Sequence, residues 1–127
     1  MGEIPRVVGK SFPQRVLIVD HEPLIRWSLA EILTEAGHSV TLAEDQLAAR
    51  EAVTADVPFD VVFLDGDLPG SCGFSLLSGL RLLAPRARII FMTAFGSPSL
   101  VRGALNLGAF RVLEKPFDVT DLPALVA

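Results

Sequence analysis

The sequence predicts an α/β fold: five parallel β-strands in one sheet, with helices packed on both faces. Three observations carry this reading. Two short, unbroken apolar runs, residues 16–19 (VLIV) and 61–64 (VVFL), have the composition of strands buried on both sides. Segments with apolar residues at helical spacing lie between such runs, and this alternation implies a parallel sheet. Each of the two runs ends in an acid, Asp20 and Asp65. In an open parallel sheet, ligands bind outside the carboxyl ends of the strands, so the two acids are expected to share one site.

Composition narrows the class. At 127 residues the chain fits one domain with a full core, and with 50% apolar and 20% charged residues it is globular. A net charge of −4 argues against a nucleic-acid surface, which would need a basic patch. One cysteine, Cys72, allows no internal disulfide, and a reducing, cytoplasmic setting is the simplest expectation. No apolar run approaches the ~20 residues of a membrane span. The N-terminus lacks the apolar stretch of a secretory signal.

Taken in order, residues 1–14 hold Gly2, Pro5, Gly9 and Pro13 without periodicity and read as an irregular lead-in to a domain over 15–127. Residues 15–20 form the first strand. Glu22-Pro23 opens a helix whose stripe is Ile25, Ser28, Leu29, Ile32, Leu33 and Ala36, stopped by Gly37. Residues 38–43 are the second strand, with Val40 and Leu42 on one face. A second helix follows over 45–55, with Leu47, Ala48, Ala52 and Val53 as its apolar side, broken at Val57-Pro58.

After the acidic strand, residues 66–72 form a loop. A third helix spans 73–84, with Leu76, Leu77, Leu80 and Leu83 inward, and Pro85 ends it. Residues 87–93 are the fourth strand. Ser97-Pro98 caps a fourth helix, which Gly108 stops. Residues 110–114 are the fifth strand, closed by Lys115-Pro116. A last helix begins near Thr120 with Pro123 in its first turn, and it looks cut short. Five strands with right-handed crossovers favour the flavodoxin-like, doubly wound order 2-1-3-4-5.

Four strand ends then carry polar groups to one rim: Asp20, Asp65, Thr93 and Lys115. Their types suit phosphoryl transfer. A carboxylate can attack phosphorus and form an aspartyl phosphate. Mg²⁺, held by few carboxylates plus phosphate oxygens and water, would offset the charge. A hydroxyl and an ammonium can each pair with a phosphoryl oxygen. No Gly-rich phosphate loop follows the first strand, which speaks against a nucleotide-binding enzyme.

The stretches VLIVDHEP around Asp20, FLDGDLPG around Asp65, FMTA around Thr93 and GAFRVLEKPF around Lys115 resemble the receiver domain of two-component response regulators. The words TAFGS and EKPFD are similar to receivers that precede sigma-54-type ATPase regulators. The resemblance covers residue 15 to the end. It implies that Asp65 accepts a phosphoryl group from a sensor histidine kinase, with at most slow autophosphatase activity. It implies that Asp20, Asp65 and the carbonyl of Asp67 hold the metal, that Thr93 senses the phosphoryl group, and that Lys115 pairs with it through a cis Lys115-Pro116 bond. An output domain or partner protein, commonly transcriptional, would receive the signal, and dimerisation through the fourth-helix face is a common arrangement.

Two positions depart from the pattern. His21 stands where the family has a second metal-binding acid. Imidazole suits Mn²⁺ or Zn²⁺ better than hard Mg²⁺, so Mg²⁺ binding should be weak. Val112 stands where the family has Tyr or Phe, the aromatic that moves with the threonine. These departures keep a second reading open: a pseudo-receiver that acts as a protein-interaction or dimerisation module with impaired or no phosphorylation. Arg81, Arg86 and Arg88 read as a solvated face rather than a nucleic-acid contact.

Overall fold

The computed structural model describes residues 12–55, 58–70 and 72–126. Most of the lead-in, Val57 of the helix break and part of the loop before Cys72 lie outside them. Five strands, β1 (Arg15–Val19), β2 (Ser39–Ala43), β3 (Val61–Asp65), β4 (Arg88–Thr93) and β5 (Arg111–Glu114), alternate with α1 (Pro23–Glu35), α2 (Gln46–Val53), α3 (Gly73–Leu83), α4 (Pro98–Asn106) and α5 (Leu122–Val126). A single 3₁₀ turn, Val119–Asp121, leads into α5. All strand pairs are parallel, and the sheet order is β2-β1-β3-β4-β5. This is the doubly wound, flavodoxin-like architecture expected.

Side-chain alternation along the strands divides the core into two layers. Leu17, Val19, Val62, Leu64, Ile89 and Phe91 face α2, α3 and α4. Val16, Ile18, Val61, Phe63, Ile90 and Met92 face Leu29 and Leu33 of α1 and Leu122 and Val126 of α5. β1 and β3 are central and covered on both sides, which is why both read as unbroken apolar runs rather than alternating ones.

Helix ends follow the local chemistry. Ser97 accepts a hydrogen bond from the Leu100 N–H at the start of α4, and Asp45 accepts one from Ala48 at the start of α2. Gly108 follows α4 at φ +104, and a Cβ there would lie 2.7 Å from Arg81 Cδ. Arg81 donates to the carbonyls of Ala84, Ala87 and Gly108, and Arg88 to that of Val126. These two arginines thus tie backbone ends together instead of forming an open basic patch.

Several outward residues correct the apolar stripes. Leu47 is exposed while Ala49 is buried, because the inner face of α2 is centred on Ala48, Ala49, Ala52 and Val53 and Leu47 lies opposite it. Leu83, the last residue of α3, is partly exposed at a cleft with Val53 and Phe59, and Ala36 lies beyond the end of α1. Leu42 is exposed because β2 is an edge strand. Among the described residues no helix is long and apolar enough to cross a membrane.

Candidate functional site

Register builds the site. Val19 of β1 is level with Leu64 of β3, so the residues that follow, Asp20 and Asp65, emerge side by side. Asp65 is level with Met92, and Thr93 with Glu114, so Thr93 and Lys115 complete the same rim. Lys115 N–H donates to the Thr93 carbonyl at 2.8 Å, and Gly66 N–H to that of Met92 at 2.7 Å. A side chain at position 66 would run into the Phe91 ring, which explains the glycine directly after Asp65. The Lys115-Pro116 bond is cis.

Asp20, Asp65 and Thr93 are fully buried polar groups, so their partners decide their states. Lys115 Nζ lies 2.9 Å from Asp20 Oδ2, 3.4 Å from Asp65 Oδ1 and 3.3 Å from Glu22 Oε1. Asp20 Oδ1 accepts from the Glu22 N–H at 2.9 Å. Its Oδ2 has the ammonium as an ion-pair neighbour but no well-directed hydrogen bond. Burial is the main reason that the Asp20 carboxyl is held above the ordinary carboxylate range, outweighing the Glu22 and Lys115 contacts.

Asp65 goes the other way. Burial pushes it up, but the Asp67 N–H, the His21 ring and the Lys115 charge outweigh this and hold it low. The Asp67 N–H donates to Oδ1 at 2.9 Å, and His21 Nδ1 lies 2.7 Å from Oδ2. An ionised carboxylate has no proton to give, so Nδ1 carries the hydrogen. For Lys115, burial favours the neutral amine, yet the close ion pair with Asp20, together with Asp65 and Glu22, raises its pKa above the ordinary lysine value.

A divalent cation is consistent with part of this set. One ligand atom each from Asp20, His21 and Asp65 lies within 4.8 Å of the others, and a buried carboxylate oxygen there lacks a directed donor. The carboxylates suit a hard cation, and imidazole a softer one.

Asp67 N–H faces Asp65, and the Asp67 carboxylate reaches across to β4. It accepts from Ala94 N–H at 2.8 Å and from Thr93 Oγ1 at 3.2 Å. All six residues singled out by sequence are therefore brought to one rim. Glu22 on Lys115, Ala94 N–H and the role of the Asp67 side chain were missed. The backbone donor has no sequence signal, and the Glu22 contact depends on where α1 starts. Val112 is level with Phe91 and packs half-buried against the core. Trp27 is exposed on α1, and Cys72 is exposed before α3.

The family model described as response regulator receiver domain matches residues 16–127. The chain belongs to the response regulator receiver domains. Sporulation initiation phosphotransferase F of Bacillus subtilis is 33% identical over 109 residues, covering 86% of this chain and 87% of that protein. The DNA-binding transcriptional regulator NtrC of Klebsiella pneumoniae is 38% identical over 109 residues, 86% of this chain but only 23% of its own length. This receiver thus spans about a quarter of the NtrC regulators it matches. Among solved structures, a CheY-like receiver domain protein from Methanospirillum hungatei superposes with a TM-score of 0.83 at 28% identity, covering 91% of each chain. A Burkholderia pseudomallei response regulator with a phosphorylated aspartic acid, a calcium ion and citrate gives 0.82 at 28% identity, covering 90% of this receiver and 66% of that chain.

Proposed function

We propose that this receiver accepts a phosphoryl group on Asp65 from the phosphohistidine of a sensor histidine kinase and passes the change to an output domain or partner protein. The observation that supports this most is the buried, ionised Asp65 beside Asp20 and Lys115, at a rim where Thr93 also ends its strand. A carboxylate oxygen of Asp65 forms the new O–P bond as the P–N bond breaks, and the kinase imidazole leaves with the electron pair. Lys115 pairs with a phosphoryl oxygen, and the Thr93 hydroxyl donates to another. A divalent cation, Mg²⁺ or Mn²⁺, held by Asp20, Asp65 and the Asp67 carbonyl, would offset the charge that gathers there.

The NtrC likeness favours a transcriptional output, read through α4 and β5, and a cytoplasmic setting goes with it. With Val112 in β5, no aromatic side chain is available at that position to follow Thr93, so the switch rests on α4 and its loop. Direct nucleic-acid contact by this domain does not fit its charge.

The contact of His21 Nδ1 with Asp65 Oδ2 favours one rival, a pseudo-receiver that docks or dimerises without phosphorylation. Intact-mass measurement after incubation with acetyl phosphate and Mg²⁺, then Mn²⁺, separates the two. A phosphoryl adduct lost in Asp65→Asn supports the phosphoacceptor. Unmodified, folded protein with both cations supports the rival.

A further inference from the structure

The Asp67 carboxylate is bound the way a phosphoryl group would be. Its Oδ2 takes the Ala94 N–H at 2.8 Å and its Oδ1 takes the Thr93 hydroxyl at 3.2 Å. Thr93 Oγ1 in turn accepts from the Phe95 N–H at 3.0 Å, so the hydroxyl is fixed in direction, with its hydrogen towards Asp67. These are the neutral donors at the end of β4, next to Asp65. The cationic partner of the site, Lys115, is committed to Asp20, Asp65 and Glu22 instead. Asp67 also holds Asp65 through its own N–H at 2.9 Å, so one residue grips the attacking carboxylate and covers the donors beyond it.

We propose that Asp67 is an internal anion that occupies the oxyanion donors of Thr93 and Ala94, and that an incoming phosphoryl oxygen must displace it. This deepens the phosphoacceptor reading and rests on it for its biological meaning, although the geometry stands without it. An N–H makes one strong, well-directed bond at a time, and the charge-assisted bond to Asp67 is of the stronger kind, so a phosphoryl oxygen gains the same alignment only by taking the carboxylate's place. Asp67 is thus a positioning residue. It sets how readily the donors engage a phosphoryl group and keeps Thr93 directed into the site while none is bound.

The test is an amide NMR titration of the ¹⁵N-labelled protein with inorganic phosphate, following the Ala94 and Phe95 cross-peaks in wild type, Asp67→Ala and Asp67→Asn. The Ala94 amide in wild type is expected to stay unmoved. In Asp67→Ala it should exchange with solvent faster and shift saturably with phosphate, with at least about tenfold tighter apparent binding, the factor that 1.4 kcal/mol represents. Asp67→Asn keeps one acceptor oxygen without the charge and should fall between the two. An Ala94 amide that responds equally in wild type and Asp67→Ala, or in neither, overturns the inference.

Acetyl-phosphate labelling of the same samples keeps the two ideas apart. A phosphate response confined to the Asp67 variants, with no adduct on Asp65 in any of them, supports the internal anion and overturns the phosphoacceptor. Labelled Asp65 with an unresponsive Ala94 amide does the reverse.

Discussion

His21 Nδ1 donates to Asp65 Oδ2 across 2.7 Å, placing an imidazole against the carboxylate proposed to accept the phosphoryl group. The ring thus occupies one of the two carboxylate oxygens of Asp65, beside Asp20. Replacing it with the acid of the family pattern frees that oxygen and adds a hard ligand. His21→Asp should therefore bind Mg²⁺ about tenfold more tightly or better, measured by isothermal titration calorimetry without any phosphodonor. Equal affinity in the two proteins would show that the ring is not the obstacle.

Lys115 is the cation that joins Asp20, Asp65 and Glu22. Removing one partner of a buried pair leaves the other uncompensated, so Lys115→Met should cost about 3–5 kcal/mol at neutral pH in urea unfolding. The pH course fixes the sign. The folded-state pKa of Lys115 is raised, so its contribution is fully present below the ordinary lysine value. It is lost as pH rises through the folded value. The gap between wild type and variant should hold at neutral pH and narrow on the alkaline side.

Asp20 gives the opposite dependence. Burial raises its folded-state pKa, so the ionised form weighs against folding at neutral pH. That penalty disappears as pH falls through the folded value towards the ordinary one. Asparagine matches the shape of the protonated acid. In Asp20→Asn the ammonium of Lys115 keeps Glu22 at 3.3 Å and Asp65 at 3.4 Å as partners, so it is not left uncompensated. The variant should melt at a higher temperature than wild type at neutral pH, with the two converging in acid. Melting curves across pH check this, and a variant that is less stable than wild type at neutral pH would contradict it.

Gly108 closes α4 at φ +104 against the Arg81 side chain, which ties the carbonyls of Ala84, Ala87 and Gly108. An L side chain there meets both backbone strain and the 2.7 Å contact with Arg81 Cδ. Gly108→Ala should cost about 1–3 kcal/mol, read as a lower urea midpoint with an unchanged slope.

The sheet was legible because two of its three interior strands, β1 and β3, are buried on both faces and read as unbroken apolar runs. Val16 to Val19 and Val61 to Leu64 permit no alternation, and the helix stops at Gly37 and Gly108 are set by backbone conformation. The site was legible because Asp20, Asp65, Thr93 and Lys115 each directly follow or end a strand, and a parallel sheet sends strand ends to one rim. Leu47 and Leu83 were misplaced because helical spacing fixes a stripe without fixing which residue centres it over the sheet. The Asp67 carboxylate was missed because its partners are a hydroxyl and an amide brought near by the β3–β4 register, which spacing along the chain does not reveal. His21 was recognisable as an oddity in sequence, but its hydrogen bond to Asp65 is a matter of rotamer and so belongs to the structure.

The most direct measurement is borohydride trapping after acetyl-phosphate treatment with Mg²⁺ or Mn²⁺, followed by peptide mass mapping. Borohydride reduces an aspartyl phosphate to homoserine, which marks the modified residue. The account predicts homoserine at position 65, absent from the Asp65→Asn protein and from samples without phosphodonor. Trapping at another acid, or none with either cation on folded protein, would contradict it.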